Sequence, residues 1–226
     1  MIGVFDSGAG GLFALAELRR LSPRSDIVFL ADRKNAPYGN KSKDKLIELV
    51  KADIERLISR GCEKVLMACC TASTVYELLP VEYRAVALPI ISPTAREALK
   101  VSKNKKIGIL STEATKKSRA FDRGILKYEP KAVTVCVSAP DLVSLAERGE
   151  SDPSLSSKGS LVVEKSVSAF SCSGIDTLIL GCTHFAYFEN KIKDILRVEI
   201  VNSARIGAFE MQKFLKSENG RTIYLE

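Results

Sequence analysis

Short apolar runs alternate with segments of helical period along the whole of this chain, and that alternation limits the folds open to it. The runs are Ile2–Phe5, Ile27–Ala31, Val65–Ala68, Ala85–Ile91, Ile107–Leu110, Val133–Val137, Leu178–Leu180 and Val198–Val201. Among the helical segments Asp44–Arg60 is the clearest: Leu46, Ile47, Val50, Ile54, Leu57 and Ile58 form one stripe, and Gly61 supplies a stop. Unbroken apolar runs suit strands buried on both faces, and a helix between successive strands is what a parallel connection requires. The expected fold class is therefore α/β, with mainly parallel sheets flanked by helices.

The 226 residues suffice for one domain or for two of about 100 residues each. A boundary is expected near Ile91-Ser92-Pro93, before a helix starting at Thr94. From about Val101 the chain begins again, with a basic turn, a strand and a helix opened by Ser111-Thr112-Glu113. The expected division is residues 1–92 with 202–226 as one domain and 93–201 as the other. The last helix, Ala204–Leu215, is expected to return to the first unit, and Gly149–Gly159 reads as a polar connection.

Composition removes several classes of function. The net charge of +7 comes from scattered lysines and arginines, and clusters such as Lys103-Asn104-Lys105-Lys106 lack interleaved aromatics, so no nucleic-acid partner is expected. No apolar stretch approaches the roughly 18–20 residues that span a bilayer, so no membrane partner is expected either. The start Ile2-Gly3-Val4-Phe5-Asp6 lacks the basic and apolar regions of a signal peptide, which makes the cytoplasm the expected location. Six cysteines without a C-x-x-C pair, and a single histidine, do not match a usual zinc site. Disulfides are not expected, and Cys62, Cys136 and Cys172 read as small buried apolar residues.

In open α/β sheets ligands bind beyond the carboxyl ends of the strands, and five polar clusters fall there. Asp6-Ser7-Gly8-Ala9-Gly10-Gly11 lets a backbone approach a ligand closely, or is a tight turn with Asp6 or Ser7 as a helix cap. It departs from a dinucleotide fingerprint, whose third glycine would fall at Phe13. Ala36-Pro37-Tyr38-Gly39 reads as a turn. Cys69-Cys70-Thr71-Ala72-Ser73 puts thiols where a helix begins, either as reactive groups or as buried cysteines beside a Thr cap. Ser111-Thr112-Glu113-Ala114-Thr115 alone reads as a helix start. In Gly181-Cys182-Thr183-His184 the one histidine lies two residues from a thiol, which favours function over a structural role. Cys-Thr recurs in the third and fifth clusters, about half the chain apart, as two matching thiols in two half-chains would.

Taken in order, these clusters resemble glutamate racemases, within the cofactor-independent aspartate/glutamate racemase superfamily. The resemblance rests on Phe5-Asp6-Ser7-Gly8 with Gly10-Gly11-Leu12, Pro37-Tyr38-Gly39, Ala68-Cys69 with Thr71-Ala72-Ser73, Thr112-Glu113-Ala114-Thr115, and Gly181-Cys182-Thr183-His184. It implies two pseudosymmetric domains with the active site in the cleft between them, no metal or other cofactor, and glutamate as the small-molecule partner. It also implies D-glutamate supply for peptidoglycan, and it brings a homodimer into view as the assembly. By the resemblance Cys69 and Cys182 are the acid/base thiols, assisted by Asp6 and His184. Substrate contacts then fall on Asp6, Ser7, Tyr38, Gly39, Cys70, Thr71, Thr183 and His184, with Glu147 and Thr112 as further candidates.

The chemistry suits those residues. An amino-acid α-proton is so weakly acidic that its removal needs a positioned base and stabilisation of the carbanion. Inversion needs removal on one face and return on the other, hence a pair. The chain departs from the family pattern at Cys70, where asparagine is usual and a thiol is a far poorer hydrogen-bonding group. It departs again at Phe185-Ala186, where Tyr-Pro is usual, at Ala139 where Cys-Pro would begin, and at Asn202 where Asp-Ser would begin. Cys70 leaves open another acidic amino acid, such as aspartate, as substrate, and a non-catalytic amino-acid-binding protein is the reading from a different class. Redox chemistry at Cys69-Cys70 is disfavoured by the strained ring that adjacent cysteines form on oxidation.

Overall fold

A computed structural model describes residues 1–148, 157–216 and 219–225. The chain divides into two units, Met1–Ile90 with Ala204–Glu226, and Ile91–Ser203. In the first, β1 (Ile2–Asp6) leads through α1 (Gly11–Leu21) to β2 (Ile27–Ala31), and α2 (Lys43–Ile58) leads to β3 (Lys64–Met67). The short helices α3 (Cys70–Ser73) and α4 (Val81–Val86) precede β4 (Ala87–Pro89). The second unit runs from α5 (Ile91–Val101) to β5 (Lys106–Ser111), α6 (Glu113–Ser118), α7 (Ala120–Leu126) and β6 (Val133–Ser138). It continues through α8 (Pro140–Glu147), α9 (Ser157–Val167), β7 (Thr177–Gly181), α10 (Glu189–Leu196) and β8 (Glu199–Asn202). Then α11 (Ser203–Met211) and β9 (Thr222–Leu225) return to the first unit.

Every strand pairing is parallel. The first sheet has the order β4-β3-β1-β2-β9 and the second β6-β5-β7-β8. Read from the second strand of each unit, the orders 2-1-3-4 and 6-5-7-8 are the same winding, with β9 added to the first sheet. In each winding one pair of neighbours, β1 with β3 and β5 with β7, sends its following connections in opposite directions. Those are the switch points at which the loops part and leave room for a ligand.

Both faces of the first sheet are covered. On one, Phe5, Val28, Leu30, Val65 and Met67 pack against Leu46, Leu49, Val50, Ile54 and Leu57 of α2. On the other, the alternate residues Val4, Ile27, Phe29 and Leu66 are equally buried; α1 begins over Phe29 and α11 crosses Leu66 and Ile90. In the second unit Leu110, Leu178 and Leu180 pack with Leu142, Leu145, Val163, Val167, Phe170, Phe185, Phe188 and Ile192. Burial on both sides explains why these strands read as solid apolar runs. No helix among the described residues is long and apolar enough to cross a membrane.

Several elements differ from the sequence expectation. The helix expected at Thr94 begins at Ile91, because Pro93 sits in its first turn, where its missing N–H costs nothing. The run Ala85–Ile91 yields only Ala87–Pro89 as strand, its ends taken by α4 and α5. Helix α2 buries Leu49 where the stripe had Ile47, and leaves Ile58 exposed. The last helix keeps α-geometry to Met211 and tightens to a 3-10 turn over Gln212–Phe214. Cys172 is exposed, in the turn after Phe170, whereas Cys62 is buried and its thiol is pushed up to about 11 by burial. Of the connection Gly149–Gly159, residues 149–156 lie outside the described residues and Ser157–Gly159 open α9.

Strand β9, absent from the sequence reading, pairs with β2 in the register Ile27↔Thr222 to Leu30↔Leu225. It is fastened by the buried Asp26, which accepts from the Arg221 guanidinium (Nη2 at 2.6 Å, Nε at 3.0 Å) and from the amides of Arg221 and Asn219. The Arg221 side chain, with these amides, holds the Asp26 carboxyl down at about 2. Arg19 Nε on α1 adds a bond to Thr222 Oγ1 at 2.9 Å.

One polar residue interrupts the apolar stripe of α2. Asp53 is 2% exposed, and its Oδ2 lies 2.7 Å from the hydroxyl of Tyr38, itself 1% exposed. The same hydroxyl is 2.7 Å from Asp32 Oδ2. Burial pushes the Asp53 carboxyl up to about 7; Tyr38 and Arg56 pull it down and the Asp32 charge adds to the rise. Its proton is thus held in the folded protein up to about pH 7 and released near pH 4 when unfolded. The folded state binds the extra proton between those values, so Asp53's contribution to stability falls as pH rises from 4 to 7. Asp53→Asn, which lacks that proton equilibrium, should gain on the wild type across this window by up to a few kcal/mol and hold the gain above it. Urea-unfolding midpoints of both proteins at pH 4.5, 6 and 8 measure the difference; a constant gap would refute the assignment.

Candidate active site

The two switch points carry the two thiols and most of the residues singled out with them; Tyr38, Gly39 and Glu147 come from other elements. In the first unit β3 ends at Met67, paired with Phe5, and β1 ends one residue further on, at Asp6. The chain beyond them places Ser7 Oγ 3.5 Å from Cys69 Sγ. Cys69 is extended and buried, and its sulfur accepts the amide of Ala72 at 3.4 Å, so the cap of α3 is the thiol itself and not a threonine. Cys70 and Thr71, the first residues of α3, are both buried. Ser73 holds the turn from beneath, donating to Met67 O and accepting from Ile90 N.

Asp6 caps no helix. Its Oδ1 accepts the amide of Gly8 at 2.9 Å, closing the loop on itself, and α1 starts after Gly10 with no side-chain cap. The glycines serve close approach: a Cβ on Gly11 would stand 2.4 Å from the Cβ of Asp6 and 3.0 Å from the ring of Phe29. Only glycine lets α1 begin directly over the Asp6 side chain.

Tyr38 and Gly39 lie in a 3-10 turn between β2 and α2. Ala36, Pro37 and Asn40 are exposed and Gly39 is half-buried, while the Tyr38 ring is wholly inside. With its hydroxyl engaged by Asp32 and Asp53, Tyr38 has only main chain to offer a ligand. Asp32 is bound in turn by Asn35 Nδ2, 3.0 Å from each carboxylate oxygen, and its amide donates to Asp6 O at 2.9 Å. The turn is thereby tied to the end of β1.

In the second unit the same place belongs to Thr112 after β5 and Cys182 after β7, beyond the pairing Ser111↔Gly181. Thr112 caps α6, its Oγ1 accepting from Thr115 N at 3.2 Å and sharing a bond with Thr115 Oγ1 at 3.0 Å. Gly181 permits the close packing here, since a Cβ would stand 2.9 Å from the carbonyl oxygen of Leu110. Cys182 is extended and buried; its Sγ is 3.6 Å from Nδ1 of His184. The far nitrogen of His184, Nε2, bonds Oε1 of Glu147, the last residue of α8. Thr183, between thiol and imidazole, is buried.

A thiol, an imidazole and a carboxylate in series can pass a proton to and from sulfur, with the carboxylate fixing the ring and balancing an imidazolium. Cys69 is served differently: its sulfur accepts the Ala72 amide and shares a hydrogen bond with the Ser7 hydroxyl, in which either group can donate. Asp53 escaped the sequence reading, although a carboxylate among Leu46, Leu49, Val50, Ile54 and Leu57 was a visible break in the helical pattern. No group of three or more His, Cys, Asp or Glu among the described residues is placed to hold a metal ion.

Comparison with known proteins identifies the family. The model of the Asp/Glu/Hydantoin racemase family matches residues 22–211. The chain is 38% identical to the glutamate racemase of Aquifex pyrophilus over 227 residues, covering 99% of this chain and 87% of that protein. Its structure is similar to that of the glutamate racemase isoform RacE1 from Bacillus anthracis, with a TM-score of 0.89, 28% identity and coverage of 99% and 86%. It is likewise similar to the glutamate racemase of Francisella tularensis in complex with D-glutamate, at a TM-score of 0.87, 26% identity and coverage of 99% and 85%. Two identically wound parallel sheets, a thiol at each switch point and these relationships together place the chain in the Asp/Glu/hydantoin racemase family.

Proposed function

We propose that this protein is a glutamate racemase that interconverts L- and D-glutamate through two thiols, supplying D-glutamate for peptidoglycan. The observation that carries the reading is the equivalence of Cys69 and Cys182: each follows the third strand of the same winding, at its switch point. A binding protein has no use for that duplication, whereas inversion at carbon needs one proton carrier for each face.

In one direction the Cys69 thiolate takes the α-proton and the electron pair of the C–H bond stays on the substrate as a carbanion. The Cys182 thiol then gives its proton to the opposite face, which leaves Cys69 protonated and Cys182 as thiolate. The reverse direction restores the starting state, so protons balance and no step calls for a cofactor. His184 moves or holds the Cys182 proton, and Glu147 fixes His184 for that task. Asp6 assists on the Cys69 side. Substrate contacts are assigned to Ser7, Thr71, Thr183, His184, position 70, and the main chain of Tyr38 and Gly39, with Thr112 beside Cys182 in the second unit. A reaction run by free thiols belongs in a reducing compartment, and the cytoplasm is the proposed location. A homodimer is proposed as the assembly, following the common habit of such enzymes.

Exchange of the α-proton in deuterated water tests the reading directly. The wild type should wash deuterium into L-glutamate and form the D-enantiomer, with L-aspartate left unchanged; exchange of aspartate alone would overturn the substrate. Cys69→Ser and Cys182→Ser should each lower racemisation by about 10²–10⁴-fold. Each should still exchange one enantiomer without inverting it, and the two variants should prefer opposite enantiomers. Undiminished racemisation in either would end the two-thiol mechanism.

Glu147→Gln leaves the imidazole in place but removes the charge behind it. Its kcat should fall by roughly 10- to 10²-fold, less than the loss of a proton carrier, with KM little changed. A rise in KM at constant kcat would mean that Glu147 contacts substrate instead.

A further inference from the structure

Around Tyr38 there are too few protons for the bonds drawn. Its hydroxyl carries one hydrogen, yet Asp32 Oδ2 and Asp53 Oδ2 each stand 2.7 Å from it, and all three groups are buried. An ionised carboxylate only accepts. With both ionised, one contact would press lone pairs together away from water, at a prohibitive cost. Asp32 is the acceptor of the tyrosine hydrogen, since both its oxygens already accept from Asn35 Nδ2. Asp53 has only the Arg56 guanidinium near its other oxygen, at 3.7 Å, beyond hydrogen-bond reach.

We propose that Asp53 is a positioning residue: its neutral carboxyl donates to the Tyr38 oxygen, frees the tyrosine hydrogen for Asp32, and so clamps the Tyr38-Gly39 turn in the place from which its main chain meets the substrate. The inference rests on the proposed reading of that turn as a glutamate contact. Besides this ring the turn is held by Asn35 on Asp32 and by the Asp32 amide on Asp6, and residues 33–41 are otherwise exposed or half-buried. A hydroxyl fixed from both sides cannot slide along its ring axis, whereas one bond leaves that movement free. Leucine at position 53 would continue the apolar stripe of α2, so a carboxyl here is costly and its return is the fixed turn.

The titratable groups that face Asp53 are Tyr38 and Asp32 from the loop after β2 and Arg56 one turn along α2. All of them persist in a position-53 variant, so a pH limb that vanishes with Asp53 belongs to it. The direction is set by the acid: loss of its proton as pH rises through about 7 unlocks the turn, and KM for glutamate should rise there.

The test compares wild type, Asp53→Asn, Asp53→Leu and Tyr38→Phe between pH 5.5 and 9. Asparagine can still donate to the tyrosine oxygen, so it should keep the low KM and flatten its rise above pH 7. Leucine and Tyr38→Phe should each raise KM by roughly tenfold with kcat within about twofold, and the double variant should be no worse than either single one. An unchanged KM in Asp53→Leu, or a loss confined to kcat, would overturn the proposal; if that variant does not fold, the pH limb in Asp53→Asn decides.

Two readouts need no substrate. The infrared band of a protonated carboxyl should be present at pH 6 in the wild type and lost in Asp53→Asn, and amide exchange at residues 38–40 should quicken in Tyr38→Phe. Absence of that band, or unaltered exchange, refutes the clamp even if the enzyme racemises glutamate. A wild type that leaves glutamate untouched, with both signals as expected, would refute the substrate reading and keep the clamp.

Discussion

One pairing, made twice, governs the molecule: β1 beside β3 and β5 beside β7, parallel neighbours whose chains leave in opposite directions. Parallel strands bring all their carboxyl ends to one edge, and opposed departures open a gap there that a loop would otherwise fill. Cys69 and Cys182 stand in those gaps. Everything else in each unit keeps the two central strands flush, including the α2 stripe on one side of β1 and glycines at 11 and 181 where a methyl group would collide.

The thiols are matched in place but not in company. Cys69 faces the Ser7 hydroxyl, which can give or take a hydrogen, and the Ala72 amide, which donates; Cys182 faces an imidazole backed by a carboxylate. For a reversible reaction between mirror images the two faces need not be chemically alike. They need only exchange one proton at similar cost, and two differently partnered thiols can meet that condition.

Much of this was legible in residues alone. The solid apolar runs marked seven of the nine strands among the described residues closely because burial on both faces leaves no alternation to confuse, and the thiols were visible because each follows such a run. The parts that escaped share a cause in tertiary contact. Strand β9, Thr222–Leu225, has exposed Tyr224 and becomes a strand only through its register with β2 and the Asp26–Arg221 bonds. Helix α5 starts early because Pro93 tolerates a first turn, a permission that spacing does not reveal. The cap on α3 is a sulfur, where one of the two local readings had a threonine hydroxyl. Asp53 was passed over: it sits in register with leucines on α2, and its meaning depends on a tyrosine fifteen residues earlier.

The fastening of β9 to β2 also bears on how the protein is made. The second unit lies whole within the chain, from Ile91 to Ser203, whereas the first encloses it, with α11 and β9 following. A ribosome therefore delivers all of the second sheet before the outermost strand of the first exists. Until then β2 is a bare edge and Asp26 a buried-site carboxylate still waiting for its arginine. The unit that synthesis begins is the one it completes last.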